Sequence, residues 1–354
     1  MGILKTITEE YFGETVREED IINIDGLDVE IISFTDNNKK FHKKGYKPKD
    51  KDNLKELLER MIEARGDEGD FNDIDTSDIK DISFLFNRKE RFNGDITGWD
   101  VSKVKNMCCM FYKATSFNQP IEKWNVSSVT SMDSMFQSAT SFNQPIGNWN
   151  VSSVTGMSSM FQSATSFNQP IGDWNVSKVT DMNHMFFKAA SFNQPIGDWN
   201  VSKVTDMNHM FFKAASFNQP IGDWNVSSVT GMSSMFQSAT SFNQPIGNWD
   251  VSGVNNMYDM FESATSFNQP IGDWNVSNVR YMNYMFFKAT SFNQDIGKWD
   301  VSKVENISYM FYDATSFNQP IGDWDISSVK YRVCMFDGCP IKDEYKPKMK
   351  PNIE

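Results

Sequence analysis

The stretch that decides the fold is VSSVTSMDSMFQSATSFNQPIGNWN, running from Val126 to Asn150. The next stretch, Val151 to Asn175, reads VSSVTGMSSMFQSATSFNQPIGDWN, and units 176–200 and 201–225 are identical at all 25 positions. Working outward, Trp99, Trp124, Trp149, Trp174, Trp199, Trp224, Trp249, Trp274, Trp299 and Trp324 follow one another at a constant spacing of 25 and account for every Trp in the chain. A strict period of this length marks a stacked array. Each unit cannot bury its apolar face alone and does so against its neighbours. The ends of the array decay as capping units do. Upstream, Ile74 stands where Trp is due and Phe84-Leu85-Phe86 replaces x-Met-Phe. Downstream, Arg332 replaces the first Met, Cys339 replaces Ala, and the pattern stops after Pro340.

Within one unit, Val129, Met132, Met135, Phe136 and Ala139 have offsets 0, 3, 6, 7 and 10, which fit one face of a helix. Ser127 is placed to cap its N-terminus. The other half, Phe142 to Ile146 and on to Trp149 and Val151, reads as extended, and stacked copies would form a parallel ladder about 4.8 Å apart. Pro145 and its copies at 120, 170, 195, 220, 245, 270 and 320 would each delete a ladder donor. The strand is therefore expected to be Phe-Asn-Gln or shorter, with the Asn side chains bonding the backbone of the neighbouring coil. Met, Phe and Trp columns read as the stacked core, with Met filling irregular gaps. The predicted fold is an α/β repeat solenoid of about eleven 25-residue coils over residues 71–341, each a very short strand plus a short helix or 3-10 turn.

Composition excludes several classes. The 354 residues carry a net charge of −12, with 39% hydrophobic and 23% charged residues, which suits a folded core and not wholesale disorder. The acidic balance disfavours nucleic acid, whose phosphates call for Lys and Arg. No apolar run approaches the ~18 residues of a membrane-spanning helix. Four Cys are too few for a disulfide scaffold, and three His limit acid–base and metal chemistry.

The recurring W-[DN]-V-S-x-V-x-x-M-x-x-M-F-x-x-A-x-S-F-N-Q-[PD]-I-G resembles the BspA-like leucine-rich-repeat surface protein family, of the mycoplasma lipoprotein type, over about residues 71–341. The lead-in Tyr46-Lys47-Pro48-Lys49, a helix with Leu54, Leu57 and Leu58, and Asp73-Ile74-Asp75-Thr76-Ser77 are similar to the entry cap of such proteins. The resemblance implies a leucine-rich-repeat-like, right-handed solenoid without catalytic activity, used at the cell surface for adhesion or host contact. One feature departs from it. Met1 to Ile7 has a single Lys and no apolar run, Glu9 and Glu10 follow, and no lipid-attachment Cys comes next. The compartment is therefore open between cell surface and cytoplasm.

Outside the array, residues 1–45 are expected to hold a small α+β cap: a helix at Glu9–Asp20 and a hairpin at Ile22–Ile31 around Asp25-Gly26. Residues 46–70 read as a basic linker and a capping helix at Asn53–Ala64, and 342–354 as a polar tail.

No nucleophile–base–acid set, phosphate loop or Cys/His metal signature is found, so no catalytic residue, cofactor or metal is expected. His184 and His209, one coil apart, lack a third ligand. Cys109 and Cys334 lie nine coils apart, whereas Cys334 and Cys339 could approach each other; free thiols are the default. Asn-Val-Ser at Asn125 and its copies is explained by capping, and Asp173 and its copies by a solvated stripe. The position after Met-Phe runs Tyr112, Gln137, Gln162, Phe187, Phe212, Gln237, Glu262, Phe287, Tyr312, Asp337, a mixture that suits an exposed column. Aromatic anchors there make His184, Phe187, His209, Phe212, Tyr284 and Phe287 the candidate contact face for a protein or glycan partner. The alternative is that these rings fold back on the next coil's helix. The rival functions are a structural spacer without a ligand, and an enzyme whose chemistry lies in residues 1–70.

Overall fold

The computed structural model describes residues 29–35 and 42–348. Strand β1 (Val29–Thr35) pairs antiparallel with β2 (His42–Pro48), Val29 opposite Pro48 and Thr35 opposite His42. Helix α1 (Lys51–Arg65) follows. Asp50 caps it by accepting from the Asn53 N–H at 3.0 Å, and Gly66 ends it at φ 79°. Leu54, Leu57, Leu58 and Met61, spaced as one helix face, are its buried residues. The Arg65 guanidinium grips Asp73 at 2.8 and 2.7 Å and the Asp70 carbonyl at 2.6 Å, so the helix end is tied to the first coil.

Residues 22–28 and the helix at Glu9–Asp20 lie outside the described residues. Val29, Glu30 and Ile31, expected as the second arm of a hairpin around Asp25-Gly26, lie in strand β1, which pairs with β2; the expected first arm and turn fall outside the described residues. Lys47, expected in a linker, lies in β2, with Lys43 and Lys44 on the same strand. Tyr46 explains the difference: it bridges Ile74 and donates its N–H to the Asp73 carbonyl at 2.8 Å, making β2 the first rung of the array. Lys47 meets Asp78 at 2.8 Å and Asp75 at 3.5 Å from that rung.

From Asp70 onward each 25-residue unit makes one coil. The expected helix over Val129–Ala139 is absent. Met135, Gln137 and Ala139 donate to the carbonyls three residues back, at 3.1, 3.1 and 3.0 Å. Ser134 and Ser138, at φ 55° and 60°, interrupt any i to i−4 ladder. The alternate N–H groups leave the coil: Met132 to Gly156 O (3.0 Å), Ser134 to Ser158 O (2.8 Å), Phe136 to Met160 O (3.0 Å) and Ser138 to Gln162 O (2.7 Å). A segment this short would not hold as a helix. Turned outward, it gains bonds to the next coil that offset the ~1–2 kcal/mol cost of each left-handed residue. The files are continuous. The 133–134 peptide accepts from the Cys109 N–H at 2.9 Å and donates onward to Ser158, so its dipole points along the stack.

The expected Phe-Asn-Gln strand is also replaced. Parallel pairing is reduced to single-residue bridges just before the first Met, as at Ser131–Gly156 and Gly156–Asp181. At Phe142–Gln144 side chains take over. The Asn143 N–H donates to Asn118 Oδ1 at 2.9 Å, and Gln144 Nε2 donates to the Asn118 carbonyl at 2.9 Å. The Asn ladder is present, and it makes the missing Pro donor harmless. Glycine is required just beyond: a Cβ on Gly147 would lie 2.4 Å from the Pro170 carbonyl of the next coil. The Asn-Val-Ser motif caps turns, not helices. Asn125 Oδ1 accepts from Ser127 N (3.2 Å) and Oγ (2.7 Å), reversing the cap expected of Ser127.

Inside the coils, Phe136 stacks on Phe142 at 3.9 Å, and each ring continues to its copy in the next coil, at 5.8 Å (Phe161) and 6.0 Å (Phe167). Trp149 is 3% exposed, and its indole N–H is satisfied within the core. Beyond the last repeat, Lys342 donates its N–H to Asn318 Oδ1 at 3.1 Å, and Tyr345 accepts from the Ile321 N–H at 2.9 Å from a 3-10 turn at Asp343–Tyr345.

Candidate interaction face

The left-handed residue after the first Met sits on the outside of the turn wall. That column reads Cys109, Ser134, Ser159, His184, His209, Ser234, Asp259, Tyr284, Tyr309 and Cys334, every one at positive φ. Three residues on comes the Tyr/Gln/Phe column, then a second left-handed column with Lys113, Lys188, Lys213 and Lys288.

The structure divides the six candidate residues into two clusters. His184 stacks on His209 at 4.5 Å and Phe187 on Phe212 at 4.4 Å, with planes 13° and 7° apart. Tyr284 stacks on Tyr309 at 4.8 Å and Phe287 on Tyr312 at 5.0 Å. All six are half-buried, where full exposure was expected. The cause is that each ring shields the face of its neighbour one coil away. The alternative, rings folded back on the next coil's helix, is met in part: each ring packs on an adjacent coil, on turns in place of a helix.

Lysines complete the clusters. Lys188, Lys213 and Lys288 hold their ammonium groups 5.1, 5.2 and 5.1 Å from the centroids of Phe187, Phe212 and Phe287. Sequence reading by columns overlooked them. The signal was available as MFFKA at 185–189, 210–214 and 285–289, against MFQSA in the plainer units.

Between the clusters, the coils of Ser234 and Asp259 carry a different chemistry. Asp259 is 4% exposed, and burial, with Glu262 alongside, pushes its carboxyl up to about 7. Burial also raises Glu262, which accepts from Gln237 Nε2 at 2.6 Å. Burial lowers both His184 and His209, against the opposing pull of Asp206 on both and of Asp181 on His184. His184 Nδ1 lies 3.1 Å from Asn183 Oδ1, whereas His209 Nδ1 is buried without a hydrogen-bond partner.

Among the described residues, no three His, Cys, Asp or Glu gather as a metal-binding set. All four Cys are free, Cys334 and Cys339 included, and the Sγ atoms of Cys108 and Cys109 are 3.5 Å apart. No helix among the described residues is long and apolar enough to cross a membrane.

A stack of near-identical 25-residue coils, bonded coil to coil with few helices and strands, defines a tandem-repeat protein. The chain belongs to the family described as Mycoplasma protein of unknown function, DUF285, whose profile matches residues 53–174, 155–269 and 244–346 in three tandem, overlapping segments. No curated protein and no solved structure is significantly similar to it.

Proposed function

We propose that this chain is a non-enzymatic binding protein. It presents the outer turn wall to a protein or glycan partner in adhesion or host contact, as the BspA-like leucine-rich-repeat surface proteins that its motifs resemble do. In this reading the stack is a leucine-rich-repeat-like, right-handed solenoid. The observation that carries it is the pair of aromatic clusters at 184–213 and 284–312, where rings of adjacent coils stack beside lysines, on a wall that elsewhere has a single ring–lysine pair, Tyr112-Lys113, and mainly Gln-Ser at the same positions. Rigid aromatic side chains with a polar rim are the usual anchors of an interface. Repetition argues against catalysis: Met-Phe, Phe-Asn-Gln and Trp recur at fixed offsets from coil to coil, whereas an active site needs one unique arrangement.

The test is partner capture by the immobilised full chain and by the Phe187→Gln/Phe212→Gln variant, whose changes copy residues of other units. A partner held by the parent and lost by the equally stable variant supports the reading. Equal capture by both places the contact away from these rings, and none by either favours a spacer. Protease shaving of intact cells tests the surface placement.

A further inference from the structure

The column after Met-Phe changes together with its neighbour. Tyr112, Phe187, Phe212 and Phe287 are each followed by Lys, whereas Gln137, Gln162, Gln237 and Glu262 are each followed by Ser; Tyr312-Asp313 and, in the last coil, Asp337-Gly338 break the rule. Ring and ammonium are thus exchanged as a unit. The ring contact packs the lysine stem and fixes the position of its charge.

Lys188 and Lys213 stand on adjacent coils, side by side above rings 4.4 Å apart. Like charges on adjacent coils repel unless a counter-charge is supplied. Among the described residues neither has a salt bridge. Other columns do neutralise charge from coil to coil: Glu305 meets Arg280 at 2.9 Å and Lys330 at 2.7 Å, and Lys103 meets Asp78 at 2.6 Å. Glu262 feels the charge of Lys213 from beyond salt-bridge reach, so neither ammonium is directly neutralised and an outside anion can approach both. The whole chain carries −12, so it attracts no polyanion at long range, and recognition is local.

Ring orientation selects the kind of anion carrier. Phe187 and Phe212 lie 7° from parallel and cover each other's faces, so they turn edges outward. The edge of a phenyl ring is its positive rim, which suits carboxylates and aliphatic side chains; a sugar ring would need an open face.

We infer that Phe187, Lys188, Phe212 and Lys213 form a docking strip for an acidic peptide segment of a partner protein, its carboxylates on the two ammonium groups and its apolar side chains on the ring edges. This rests on the reading of the turn wall as the binding face.

The test titrates the full chain with three synthetic peptides of equal length, built on Glu-Leu-Gly, Gln-Leu-Gly and Lys-Leu-Gly repeats, and with a heparin fragment as an anionic glycan. The Glu peptide should bind, weaken as salt rises, and lose at least tenfold in affinity with Lys188→Gln/Lys213→Gln. The control Lys178→Gln/Lys203→Gln, in the same two coils, should leave binding unchanged. Circular dichroism and melting of each variant exclude misfolding. Equal binding of the Glu and Lys peptides, or indifference to Lys188→Gln/Lys213→Gln, overturns the inference. Heparin binding with the same lysine dependence, and no peptide binding, also overturns it but leaves the wall as a binding face. Binding of no probe overturns it too, and partner capture by the Phe187→Gln/Phe212→Gln pair then decides the broader reading.

Discussion

The indole N–H of Trp149 donates to the carbonyl of Ile121, 28 residues earlier, at 3.1 Å, so each Trp fastens its own coil to the one before. The same bond recurs at Trp199 with Ile171 at 3.0 Å and at Trp324 with Ile296 at 3.1 Å. Trp199→Ala should therefore cost about 3–5 kcal/mol in lost packing and cavity. Trp199→Phe, which keeps an aromatic ring, should cost less than Trp199→Ala and isolates a hydrogen-bond share of about 1 kcal/mol. Trp324→Ala, near the end of the array, should cost less than Trp199→Ala. Urea unfolding followed by circular dichroism measures all three. A Trp199→Ala variant as stable as the parent would contradict the buried column.

The pattern of coil-to-coil bonds repeats every 25 residues throughout the array, so length can change only in whole units. Deleting residues 176–200 should leave a folded, shorter stack, its remaining coils meeting in register. Deleting 176–187 should put Asn, Trp and Phe columns out of register and lower melting steeply. Equal melting curves for the two deletions would rule out the periodic stack.

The Asn ladder makes a sharper test of one side chain. Asn193 Oδ1 accepts both the Asn218 N–H at 2.9 Å and Gln219 Nε2 at 3.0 Å. Asn193→Leu strands that backbone donor and should cost about 1–3 kcal/mol. Asn193→Asp keeps the acceptor oxygen and should cost clearly less. Thermal melting that ranks the two the other way would show that bulk, not hydrogen bonding, sets the position.

Legibility followed what a period of 25 can reveal. Trp149 and Asn143 were readable as core and ladder because a fixed spacing places each on its own copy, whatever the local backbone. The conformation of the wall was not readable. Offsets 0, 3, 6, 7 and 10 bring Val129, Met132, Met135, Phe136 and Ala139 inward in a helix and equally in turns punctuated by left-handed residues. The usual glycine mark of such residues is missing, since Ser134, His184, Asp259 and Tyr284 occupy them. The Phe-Asn-Gln strand failed because side-chain amides replaced the backbone ladder. The aromatic members of the candidate face were visible as an irregular column. Lys188, Lys213 and Lys288 were legible as the MFFKA variant of the unit, but their tie to the rings came only with the ammonium groups lying over them.

Asp259 gives the array a pH dependence with a definite sign. Its folded carboxyl titrates at about 7, raised chiefly by burial, whereas the unfolded chain releases that proton near 3.8. Between these values the folded state holds a proton that the unfolded state has lost, so the stability contributed by Asp259 is complete below about 4 and falls as pH rises through about 7. His184 and His209 act in the opposite sense. Their folded values are lowered by burial, so they favour the folded state above 6.5 and lose that contribution as pH falls. The comparison of Asp259→Asn with the parent cancels the histidines. The amide mimics the protonated acid, so at pH 8.5 the variant should be more stable, by on the order of 1–2 kcal/mol after allowance for the proton shared with Glu262. Near pH 4 the two should converge. Urea midpoints measured from pH 4 to 8.5 give the difference directly. A variant that loses stability relative to the parent as pH rises would show that the Asp259 carboxylate is a favourable charge in the folded wall.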